Sequence, residues 1–88
     1  MDSEYINRLL GFLEGAERNR GTVIVIKIDK ICSIDRRCSW YIYRYMKLFE
    51  SKGIVYKWKK GTWILDKDKF DLLQSHLLAL LPRKYQIK

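Results

Sequence analysis

Ile6, Leu9, Leu10, Leu13 and Ala16 recur at three- and four-residue intervals behind Ser3, whose hydroxyl suits an N-cap. The spacing predicts a helix over 2–18, stopped by Asn19-Arg20-Gly21. Gly11 and Gly15 weaken that helix and mark places where another helix can pack closely. The pattern then changes. "TVIVIKI" (22–28) is β-branched almost throughout and reads as a short buried strand. "DKICSI" (29–34) has room for a turn or two of helix, apolar at Ile31, Cys32 and Ile34.

Asp35 is placed to cap a longer helix over 35–52, "RRCSWYIYRYMKLFES" with its flanks, and Gly53 is placed to stop it. Cys38, Ile42, Tyr45 or Met46, and Phe49 share one face. The other face carries Arg36, Arg37, Trp40, Tyr43, Arg44, Lys47 and Ser51. An ordinary solvent face mixes charges of both signs and avoids aromatics; this one is basic and aromatic. Two strands follow, "IVYKW" (54–58) and "TWILD" (62–66), joined by Lys59-Lys60-Gly61, where Gly61 supplies the positive φ of a tight hairpin. Val55 and Leu65 are expected to face a core, Lys57, Lys59 and Lys60 to face solvent, and Trp58 and Trp63 to stiffen the hairpin as cross-strand neighbours. A last helix over 67–81 ends before Pro82, with Phe70, Leu73, Leu77 and Leu80 or Leu81 in one stripe that Leu72, Leu78 and Ala79 widen. The tail 83–88 is basic and expected to fray. The fold class read from this order is α+β, in a single domain spanning 1–82.

Charge gives the pattern a direction. Eighteen Lys and Arg against ten Asp and Glu leave +8 on 88 residues, with a pI near 9.7. So basic a small domain favours a polyanionic partner, nucleic acid ahead of an acidic membrane surface. The opening Met1-Asp2-Ser3-Glu4 is unlike a signal peptide, and "VIVI" and "LLALL" are too short to span a bilayer. The expectation is a cytoplasmic, intracellular protein with no membrane partner.

Other chemistries find little support. Cys32 and Cys38 with the single His76 fall short of a zinc site, so no metal and no cofactor is expected. The two cysteines are either buried thiols or a bridge, within the chain or between subunits, and a bridge suits a hyperthermophile's cytoplasm. The chain is rich in Ile, Lys and Tyr, with only two Asn and two Gln, which leans the same way. No glycine-rich phosphate loop, nucleophile with a base, or small-molecule site is legible, so the chain is not expected to be an enzyme.

The order helix, strand, short helix, longer helix, hairpin, helix resembles the winged-helix variant of helix-turn-helix DNA-binding domains. The resemblance rests on "YIYRYMKLFESKGIVYKWKKGTWIL", with Ile42, Met46 and Phe49 as the buried face of a recognition helix and Gly53-Ile54-Val55 as the junction into the wing. It covers 22–66 well and the first helix by position. In one respect the chain departs from the family: the link "CSIDRRCS" is longer than the usual tight turn. Small winged-helix proteins of this composition are similar to regulators of archaea and their viruses, a viral one acting in its host cell.

The resemblance implies that the helix over 35–52 lies in the major groove of double-stranded DNA, its N-terminal half toward the bases. Arg36 and Arg37 stand at that end, where free N–H groups and the helix dipole attract phosphate. Arg44 is spaced to reach a guanine edge or a phosphate, Ser39 and Tyr43 offer hydroxyls, and Lys47 is a phosphate neighbour. Lys57, Lys59 and Lys60 would ride the backbone or enter a minor groove. Trp40 stands open among three roles: DNA, the core edge, or a second subunit. The last helix has more apolar surface than so small a monomer can hide, so a homodimer is expected. Its interface would take Leu9 and Leu13 with Phe70, Leu73, Leu77, Leu78 and Leu81. The alternative is that the first and last helices cover each other within one chain. A homodimeric transcriptional regulator is the leading reading. Its rivals are a winged-helix protein-interaction module and a binder of chromatin, RNA or single strands without sequence preference.

Overall fold

The computed structural model describes residues 2–81. Along the chain run α1 (Asp2–Glu17), β1 (Val23–Lys27), α2 (Ile28–Cys32), α3 (Arg36–Ser51), β2 (Tyr56–Lys59), β3 (Thr62–Asp66), a 3₁₀ turn (Lys67–Lys69) and α4 (Phe70–Leu80). The fold is α+β, with four α-helices against an antiparallel sheet of order β1-β3-β2. The register pairs Ile24 with Leu65 and Ile26 with Trp63. Side chains alternate across a strand, so these four share the face turned to the helices, and all are buried. Against them pack Ile6, Leu9 and Leu13 of α1, Ile42, Met46 and Phe49 of α3, and Leu73 and Leu77 of α4.

Local chemistry explains the element ends. Asp35 caps α3, its Oδ1 accepting from the Cys38 amide at 3.0 Å. At the other end Gly53 has φ +75°, its N–H donates to Glu50 O at 3.0 Å, and the Ile54 N–H donates to Phe49 O at 2.9 Å. That pair of bonds is a Schellman motif, completed by burial of both Ile54 and Phe49. Lys67 Nζ donates to the carbonyls of Glu17 and Asn19, satisfying the end of α1. Lys69 Nζ donates to Gly53 O at 2.8 Å, joining the 3₁₀ turn to the end of α3.

Several expectations are corrected. Ser3 lies inside the first turn of α1 rather than before it. The short helix starts one residue earlier than expected, at Ile28, and buries Ile28 and Cys32; Ile34 is 94% exposed. The link between α2 and α3 is therefore only Ser33-Ile34-Asp35, a tight turn closed by the Asp35 N–H donating to Cys32 O at 3.0 Å. The expected departure from a short helix-turn-helix link dissolves. Ile54 and Val55 are buried but precede β2, because the Schellman turn uses them. Lys59 belongs to β2, paired with Thr62, so the hairpin tip is Lys60-Gly61 alone. A bulge between Lys57 and Lys59 removes Trp58 from the ladder, and Trp63 pairs with Lys57 instead. The two tryptophans thus part company: Trp63 is fully buried and Trp58 is 61% exposed.

The expected subunit interface is corrected too. Leu9, Leu13, Phe70, Leu73, Leu77 and Leu81 are all buried in the chain's own core, because α1 and α4 pack on each other. Of the seven residues only Leu78 is exposed. Pro82 and the tail 83–88 lie outside the described residues.

Candidate nucleic-acid interface

Burial of Cys38, Ile42, Met46 and Phe49 fixes which side of α3 faces outward. Arg36, Arg37, Trp40, Tyr43, Arg44 and Lys47 are all exposed on that side, with Ser39 half-buried at its margin. The hairpin adds Lys57, Lys59 and Lys60, likewise exposed. All ten residues singled out from the sequence for DNA are therefore reachable from solvent.

One tie holds the hairpin on α2 and two hold it against α3. The Ile28 N–H donates to Gly61 O at 3.1 Å, which holds the tip on the start of α2. The Trp63 ring meets Tyr43 edge-on, centroids 5.7 Å apart. Trp63 Nε1 also donates to Glu50 Oε1 at 3.5 Å. Sequence reasoning treated Trp63 as a stiffener of its own hairpin and missed this role. The available signal was that β3, as a central strand, would have to cover both faces.

Salt bridges treat these cations unevenly. Among the described residues, Lys47 reaches Glu50 at 3.9 Å, while Arg36, Arg37, Arg44, Lys57, Lys59 and Lys60 have no ion-pair partner. Two rest on aromatic faces instead: Arg44 lies 4.8 Å from the Trp40 ring centroid and Lys59 lies 5.2 Å from that of Trp58. A cation so placed keeps its charge and its donors for a partner. Trp40 is 53% exposed, which removes the core-edge alternative, and its ring meets Tyr41 edge-on at 4.9 Å.

Below this face the turn is stapled. Cys32 and Cys38 form a disulfide, Cα atoms 5.5 Å apart, tying the end of α2 to the first turn of α3. Of the alternatives left open by the sequence, the bridge within one chain is the one realised. Asp35, between them, also meets Arg8 Nη1 of α1 at 3.3 Å. The Cys38 amide bond, with the Arg8 charge adding to it, holds the Asp35 carboxyl below its ordinary range.

Between α3 and the hairpin tip lies a cleft of about 590 Å³. Trp40, Tyr43, Ser39 and Arg36 line it from α3, Ile28 and Asp29 from α2, and Lys60 and Gly61 from the tip. Asp29 was not anticipated as a site residue; only the tip's placement over α2 brings it here. His76 sits on α4 with its ring 6.2 Å from that of Phe49. No group of three His, Cys, Asp or Glu able to hold a metal occurs among the described residues. Nor is any described helix long and apolar enough to cross a membrane. Comparison with protein-family models, with curated proteins and with solved structures finds no match for this chain.

Proposed function

We propose that this chain is a winged-helix protein that binds double-stranded DNA, α3 in the major groove and the β2–β3 hairpin as a wing on the adjacent backbone. The observation that carries this reading is the run of six cations without ion pairs on two elements held side by side. Of the nearby carboxylates, Asp35 is engaged by the α3 cap and Arg8, and Glu50 by Lys47, while Asp29, in the same cleft as Arg36 and Lys60, makes no ion pair among the described residues. The three-residue turn between α2 and α3 supports the helix-turn-helix assignment. Arg36 and Arg37 would meet phosphate at the helix start, with Ser39, Trp40, Tyr43 and Arg44 toward base edges and Lys47 on the backbone. We extend this to a homodimeric transcriptional regulator, in which Arg44 and its neighbours would supply the sequence selectivity.

A second copy would join through the outer side of α4. Leu72, Leu78, Ala79 and Leu80 are exposed on α4, together with Asp71 and Ser75.

Fluorescence anisotropy of a labelled random duplex, titrated at two salt concentrations, tests the proposal. About six neutralised phosphates predict affinity falling roughly a thousandfold between 50 and 200 mM salt. Arg44→Ala should then weaken a selected site more than random duplex. Absence of binding even at low salt would remove DNA from the reading and leave α3 as a protein-docking face.

A further inference from the structure

The cleft between α3 and the hairpin tip is unlike a surface built only to follow a phosphate backbone. Its lining joins two aromatic rings, Trp40 and Tyr43, to a carboxylate, Asp29, and two cations, Arg36 and Lys60. Tyr43 is backed by Trp63 and Trp40 by Tyr41, so both rings are held by neighbours rather than free to rotate away. Arg44 covers the Trp40 ring but does not line the cleft, so the guanidinium approaches from outside it. A phosphate has no use for rings, and a carboxylate repels it.

We propose that this cleft holds one unstacked nucleobase of the bound strand, its ring against Trp40 and Tyr43 and its donor edge at Asp29, with Arg36 and Lys60 on the flanking phosphates. The chemistry selects the base. A carboxylate only accepts hydrogen bonds, so it favours guanine, whose N1–H and N2 amino group offer two parallel donors, over thymine, which offers one. Stacking supplies affinity because every base has an apolar face, and it works only for a base taken out of the duplex stack. The volume of about 590 Å³ admits a nucleotide. The inference rests on the DNA-binding reading and adds to it a preference for distorted or partly opened duplex.

The test uses the whole chain and three labelled duplexes of the same sequence: fully paired, with one bulged guanine, and with one bulged thymine. The expected result is about tenfold tighter binding to the guanine bulge than to paired duplex, most of that gain being lost with thymine. Trp40→Ala should erase the bulge preference, Trp40→Phe should retain it, and Asp29→Asn should bring the guanine and thymine bulges together while paired duplex binds at least as well as before. Equal binding of bulged and paired duplexes overturns the proposal, as does a Trp40→Ala variant that loses the same factor on both. Steep salt-dependent binding of paired duplex with no bulge preference retires the cleft alone. Failure to bind any of the three retires the cleft and the DNA reading together.

Discussion

Single residues set the geometry of the turn under α3. Ser33 has φ 56° and ψ −123°, and it is the one described non-glycine residue with positive φ. With the Asp35 N–H donating to Cys32 O, it occupies the first central position of a type II′ turn, where glycine is at home. Ser33→Gly removes the Cβ clash and is expected to stabilise the protein by about 1 kcal/mol. Thermal denaturation should show this as a melting temperature higher by roughly 5 °C; an unchanged or lower value would mean the serine is at ease there. Asp35 gives a pH dependence with a definite sign. Its native carboxyl titrates lower than in the unfolded chain, so its contribution to stability is complete above the ordinary aspartate pKa of about 3.9. The contribution fades as pH falls through the depressed native value. Asp35→Asn, which still accepts from the Cys38 amide, should therefore lose stability at pH 6 and draw level with the parent at low pH. A constant difference across that range would assign the effect to packing.

At the level of elements, the β2–β3 hairpin is the part whose share in the proposed binding can be separated most cleanly. Lys59, at the end of β2, and Lys60, at the tip, make no ion pair among the described residues, so Lys59→Ala with Lys60→Ala should reduce the slope of log affinity against log salt by about two, with the fold unchanged by circular dichroism. A slope that stays put would detach the hairpin from DNA. Which elements were legible follows from their length and caps. α1 and α3 showed themselves through several turns of periodic apolar residues, and the ends of α3 through Asp35 and Gly53. The short elements were legible as elements, β3 to the residue, but not in their details: five residues of α2 carry too little period to fix its ends, and a bulge at Lys57–Lys59 leaves no mark on the alternation of the strand it interrupts. The outward face of α3 was readable because exposure follows from a helical wheel. The cleft was not, since it depends on a backbone hydrogen bond from Ile28 to Gly61, residues 33 positions apart with no patterned signal between them.

For the whole molecule, the question of hidden apolar surface has a different answer from the one the last helix suggested. The first and last helices pack on each other within one core, and Leu72, Leu78 and Leu80 are the leucines that α4 leaves exposed. Leu72→Glu with Leu78→Glu places two charges on the exposed side of α4, where the proposed dimer would meet, without touching the core. The variant is expected to sediment as a folded monomer at concentrations where the parent is dimeric. A dimer that persists would put the interface elsewhere, and a parent that is itself monomeric at every concentration would end the dimer proposal. The same helix bears on kinetics. Seven cations and one acid, Glu50, lie on α3, β2 and the turn into β3, whereas Leu72 to Leu81 carry no Asp, Glu, Lys or Arg. In the proposed complex, so uneven a spread of charge would give the molecule a torque in the field of a polyanion before contact is made. It would be turned during approach, basic side leading, and fewer of its collisions would be wasted on wrong orientations.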